Sequence, residues 1–231
     1  MRLVLCHDGP VRERIASLLW PVALAVVVYA AWSTPFVFPL KVFVVFLHEL
    51  SHGLAAIVTG GAIERIELSA NEGGLCVTRG GWGFVVTSAG YLGSLLFGAG
   101  LLVAGGRARP ATQRAIIAFT GVAVLVVTLL FVRTLFGFAW GLATGLALVA
   151  VAYRLAAGVS VFLLRLLGVT SCLYAIWDIV SDLILRSVSE SDASALARMT
   201  GIPGIVWGVL WCGVSVVVTL AAFRAAVRPQ E

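Results

Sequence analysis

Val45-Phe46-Leu47-His48-Glu49-Leu50-Ser51-His52-Gly53-Leu54-Ala55-Ala56 sets an H-E-x-x-H pattern inside an apolar run long enough to cross a membrane. Side chains four apart on a helix stand one turn above each other, so His48 and His52 can present ring nitrogens to one metal ion. Glu49 then sits beside the metal, not on it. Two histidine ligands leave room for a third protein ligand and a water, and the neighbouring carboxylate can take that water's proton. The pattern reads as a metallohydrolase centre with Zn2+ as the metal and Glu49 as the catalytic base. The plainer reading is a pair of helix histidines bonded to nearby carbonyls, or haem ligands, with Glu49 incidental. A His-Glu-His cluster in a lipid-embedded helix is expensive to bury, which favours the functional reading.

The surrounding chain supplies the membrane. Its 231 residues are 61% hydrophobic and 12% charged, with mean hydropathy +1.06, too apolar for an ordinary soluble domain. An integral, multi-pass protein of the cell (plasma) membrane is expected, with the lipid bilayer as its first partner. The formal charge of +5 comes from arginines scattered between apolar segments. No basic run with interleaved aromatics marks a nucleic-acid surface, so nucleic acid is not an expected partner. Cys6, Cys76, Cys172 and Cys212 form no C-x-x-C pair and give no support to a thiolate zinc site or a disulfide framework. Arg2, Arg12 and Arg14 precede an apolar run that is too long for a signal peptide, so it reads as the first membrane helix.

At roughly 20 apolar residues per crossing, helices are predicted near 16–38, 41–60, 83–105, 113–132, 134–153, 161–185 and 204–224. The fold class that follows is an all-α polytopic membrane protein, residues 1–231 forming one domain with six or seven transmembrane helices. Residues 61–81 interrupt it with a small β-hairpin-like segment after the metal-binding helix. There Ile66 and Leu68 alternate with Glu67 and Ser69, Asn71-Glu72-Gly73-Gly74 supplies a turn, and Leu75 and Val77 alternate again. A plain solvated loop is the alternative. In the third helix, Ala89-Gly90-Tyr91-Leu92-Gly93 offers small residues for close helix packing.

The sixth helix carries Asp178 and Asp182 one turn apart, and these are the candidates for the third metal ligand. If every segment crosses, the second and sixth helices run in the same direction, so depth can be compared. The histidines lie about 15 Å before the helix end at Gly60, while Asp178 and Asp182 lie about 12 Å and about 6 Å before Arg186. Asp178 is the better match. Asp182, which Arg186 can pair with, is kept as the alternative or as a group that orients a ligand. Ser191-Asp192 has the look of a helix N-cap before Ala193 to Met199, so Asp192 is expected to cap a helix and not to bind metal.

The membrane-embedded H-E-x-x-H of His48, Glu49 and His52, the Gly60-Gly61 and β-like stretch after it, the run Ala89 to Gly93 and a distant aspartate together resemble the site-2 proteases. These are zinc metallopeptidases that cut within membranes, and the likeness is nearest to the short branch without a PDZ domain. The resemblance spans roughly residues 40–195 and implies that His48 and His52 bind zinc, that Glu49 is catalytic, and that an aspartate of the sixth helix completes the site. Trp177-Asp178-Ile179 departs from the L-D-G segment of better-studied members.

The expected function is hydrolysis of a peptide bond in or next to a transmembrane segment of a membrane-protein substrate, with residues 61–81 presenting a strand edge to it. The alternative is a non-catalytic membrane protein that retains a structural metal site or serves as a scaffold. A metal transporter is weaker, since only two helices carry the polar residues a pathway needs.

Overall fold

The computed structural model describes residues 9–181 and 191–227. Eight helices and one hairpin follow in chain order: α1 (Gly9–Ala30), α2 (Phe38–Val58), β1 (Ala62–Leu68), β2 (Gly74–Arg79), α3 (Gly83–Arg107), α4 (Pro110–Phe131), α5 (Leu135–Arg154), α6 (Ala157–Val180), α7 (Asp192–Thr200) and α8 (Gly204–Val227). Among the described residues, α2 to α6 and α8 are long and apolar enough to cross a membrane. The polytopic helical architecture is thus present with six candidate spans. The first helix ends at Ala30 and not near 38. Backbone bonds from Trp32 to Tyr29 and from Thr34 to Ala31 tighten the chain into turns there, and the Thr34 hydroxyl also donates to the Ala31 carbonyl. Proline then stands in the first turn of α2, where its missing N–H leaves no bond unmade.

Most of α2 is buried, from Val42 through Leu47 on to His52 and Gly53. It ends where Gly60 takes φ 88°, a left-handed conformation that glycine adopts freely. The predicted hairpin forms next. β1 pairs antiparallel with β2, with Glu67 opposite Leu75, Ile66 opposite Cys76 and Leu68 opposite Gly74. The far edge of β1 is covered by the α4–α5 junction. There the Arg133 amide donates to the Ile66 carbonyl, and the Thr134 hydroxyl takes the Leu68 amide and returns a bond to the Leu68 carbonyl. Because Ile66 and Leu68 direct their backbone groups away from β2, their partners Cys76 and Gly74 direct theirs to the outer edge of β2. That edge faces α2. The hairpin lies back along the helix, with Ile63 and Cys76 against Gly53 and Gly74 against Glu49, while Glu72 pairs with Lys41 at 3.1 Å.

Without a hydrophobic drive between lipid-exposed helices, close approach depends on small residues. A Cβ on Gly168 of α6 would stand 2.5 Å from the Leu102 amide of α3, and one on Gly121 of α4 would stand 2.8 Å from the Gly145 carbonyl of α5. Helix α7 is different in kind, a short amphipathic piece whose Ala193 and Leu196 are buried with Tyr91, Ile179 and Trp211.

Candidate metal centre

The i, i+4 spacing on α2 sets the two imidazoles together, with ring centroids 4.8 Å apart. His52 is fixed from behind, its Nδ1–H donating to the Val86 carbonyl on α3 at 2.7 Å, which leaves Nε2 as the ligand atom. His48 stands edge-on to Tyr91, ring centroids 4.8 Å apart. The carboxylate that meets them comes from Asp192. Its Oδ2 lies 3.2 Å from His48 Nε2 and 3.3 Å from His52 Nε2, and the ligand atoms of the three residues all lie within 4.8 Å of one another.

Asp192 does not cap its helix. Ser191 does, accepting from the Ser194 amide at 3.3 Å, and this frees the carboxylate one residue later to turn inward. The sequence reading of Asp192 as a cap is corrected on this point. Asp178 lines the same cavity and is close enough to act electrostatically on His48, but it is not among the three residues whose ligand atoms converge. Asp182 and Arg186 lie outside the described residues.

Two observations test whether a metal fits. Asp192 Oδ2 is buried, yet no hydrogen bond of acceptable geometry reaches it, although both Nε2 atoms are near. A buried, unsatisfied anionic oxygen facing two imidazole nitrogens is a donor set arranged for a cation. Second, Gly90 opens the space beside it: a Cβ there would overlap His48 Nε2 and stand 2.6 Å from Asp192 Oδ2. Two histidines and one carboxylate, with His52 tied to the Val86 carbonyl behind it, suit zinc.

Glu49 is buried on the neighbouring face of α2 and accepts a bond from the Cys76 backbone amide of β2. Gly74 is tight against it, since a Cβ there would overlap the carboxylate. Burial, with Glu49 beside it, pushes the Cys76 thiol up to about 12, so Cys76 stays a neutral thiol at physiological pH. Around these groups is a cavity of about 510 Å³ lined by His48, Glu49, His52, Asn71, Asp178 and Asp192 among others. The hairpin forms one wall of it through Asn71, Gly74, Cys76 and Thr78.

The sequence reading did not find Gly74, Gly90 or the ligand-like placement of Asp192. The signal for Asp192 was the preceding serine, a sufficient cap by itself. No curated protein and no solved structure matches the chain. A model of the Peptidase M50B-like family, a metallopeptidase family of the site-2 protease type, matches residues 21–222, a stretch that holds the H-E-x-x-H helix, the hairpin and Asp192; the chain belongs to that family.

Proposed function

We propose that the protein is an intramembrane zinc metalloprotease of the cell membrane that hydrolyses a peptide bond in or next to a transmembrane segment of a membrane-protein substrate. His48, His52 and Asp192 hold the metal, in place of the set with Asp178. The observation that carries this reading is the placement of Glu49, buried beside the three converging ligands and open to the same cavity. A structural metal site has no use for such a carboxylate.

When bound, zinc supplies Lewis-acid polarisation of the scissile carbonyl and makes water a nucleophile near neutral pH. Glu49 takes the proton from the attacking water and passes it to the leaving amine. The Cys76 amide holds the Glu49 carboxylate in place, and Val86 holds His52. A transmembrane helix hides its amides, so the substrate must unwind, and its freed backbone needs partners. With the Cys76 amide taken by Glu49, the carbonyl groups at the outer edge of β2, where the strand lines the cavity, can receive it as an added strand.

The test is Glu49→Gln. The purified variant should keep its zinc, while cells carrying it should lose the membrane-protein fragments that the wild-type chain produces. A variant that still generates them sinks the proteolytic reading.

A further inference from the structure

Glu49 and a substrate strand compete for one backbone amide. Ile66 and Leu68 give their backbone groups to the α4–α5 junction, so their partners Cys76 and Gly74 on β2 face outward. The extra residue in the ladder, Glu64, is on β1, so the alternation of β2 is unbroken and turns Thr78 outward too. All three outward residues line the metal cavity. The edge therefore offers an extended guest the carbonyls of Gly74, Cys76 and Thr78, but the amides of Gly74 and Thr78 only. The middle amide, that of Cys76, is held by Glu49.

An added strand brings one carbonyl level with each outward amide. The carbonyl level with Cys76 finds that amide taken, and a backbone bond left unmade at membrane depth is costly. It faces the Glu49 carboxylate instead, beside His48 on α2 and in the cavity shared with the three converging ligands. Its neighbours along the strand meet the free amides of the same edge. The edge thus holds an extended chain on both sides of one unpaired carbonyl and leaves that carbonyl against the base.

We propose that the missing amide sets where the substrate is cut: the carbonyl level with Cys76 is the scissile one, and pairing with Gly74 and Thr78 fixes the register around it. This rests on the proteolytic reading above and adds the register to it. Whether the added strand runs with β2 or against it, the residue before the cut and the second residue after it turn their N–H groups to the edge carbonyls. The second residue before the cut and the third after it turn theirs away. Proline has no N–H, so the substrate should reject it at the second residue after the cut and accept it at the two positions that turn away.

The membrane-protein fragments lost in Glu49→Gln cells supply the substrate, and sequencing their new termini locates the cut. Proline is then placed singly at the second residue before the cut, the second after it and the third after it. Each proline weakens the substrate helix, so the test lies in the differences between positions. Cleavage by the wild-type protein should fall roughly tenfold or more at the second residue after the cut, the cost of one unmet backbone bond, and by less than about twofold at the other two. Binding is read separately. Zinc-loaded Glu49→Gln protein should co-purify with the uncut substrate, and of the three prolines only the one at the second residue after the cut should reduce the yield. A loss at either position that turns away, or equal effects at all three, would overturn the register while proteolysis stands. Fragments that persist in Glu49→Gln cells would remove the proteolytic reading itself, and the register with it.

Discussion

The two regions that supply the candidate metal centre are built on opposite principles. Helix α2 spans 21 residues from Phe38 to Val58 and is buried along most of its length, so its two imidazoles are placed by helix geometry alone. Helix α7 has nine residues and supplies its carboxylate at the first of them. A helix so short is marginal by itself. It is held by Ser191 at one end, by Gly201 at φ 73° at the other, and by Ala193 and Leu196 packed against Tyr91, Ile179 and Trp211. The nitrogens are therefore a local property of the chain, and the carboxylate is a tertiary one. Damage to α2 should remove the site outright, while damage around α7 should loosen it by degrees.

The largest expected effect separates the two aspartates. Asp192→Asn should abolish zinc binding by the purified protein, as His48→Ala and His52→Ala should, because a set of three protein ligands has no spare. Asp178→Asn should keep the metal and weaken it by no more than about tenfold, the low end for a group that acts through a ligand. Metal analysis of the four proteins decides. Loss of zinc in Asp178→Asn with retention in Asp192→Asn would reverse the assignment.

Next is Gly90→Ala. The added methyl would overlap His48 Nε2 and crowd Asp192 Oδ2, at the point where the α2 and α7 contributions meet. Overpacking of this kind costs about 1–3 kcal/mol, which is roughly tenfold to a hundredfold in metal affinity. Competition with a chelator would measure it. Unchanged affinity would mean that the gap at Gly90 serves helix packing alone.

A smaller effect is expected from Leu196→Ala, which is not itself one of the converging residues. Leu196 is fully buried, and its truncation should cost about 2–5 kcal/mol of packing. Most of that loss falls on the docking of α7, so zinc should bind about tenfold more weakly as Asp192 becomes less well placed. If affinity holds while global stability falls, α7 is anchored by its caps and not by this contact.

The same division explains what could be read from the sequence. His48, Glu49 and His52 announced themselves because helix periodicity turns sequence spacing into spatial proximity, and the hairpin was legible from its alternation around Asn71-Glu72-Gly73-Gly74. The aspartate was not. Comparing depths along α6 favoured Asp178, and Asp178 does reach the cavity, but the comparison took the third ligand to lie on a spanning helix. Only the docking of α7 against α3 and α8 brings Asp192 in, and no periodicity records that. Gly90 was read as a packing residue; that its missing Cβ makes room for His48 and Asp192 is visible only once those groups are placed.

The smallest expected effect concerns the hairpin, which depends on α2 as α7 depends on α3 and α8. Lys41, largely buried near the start of α2, holds Glu72 at 3.1 Å and lies 5.1 Å from the centre of the Trp32 ring. Glu72 takes φ 65°, the one non-glycine residue with positive φ among those described. A glutamate in that conformation is strained by about 1–2 kcal/mol, so the contact with Lys41 offsets a local cost and pins the hairpin tip to the helix. The pin sits on the turn that leads into Gly74 and Cys76, the residues against Glu49. Lys41→Met should reduce cleavage about fivefold, the equivalent of about 1 kcal/mol for a partly exposed pair, and leave zinc content unchanged. The exchange Lys41→Glu with Glu72→Lys should recover part of the loss. Glu72→Gly loses the pair but relieves the backbone, so it should unfold at a higher temperature than Glu72→Gln, which loses the pair and keeps the strain. Zinc lost from Lys41→Met would show that the lysine supports the metal helix itself, and the hairpin would then have to be held over Glu49 by its contacts with Gly53 and the Cys76 amide alone.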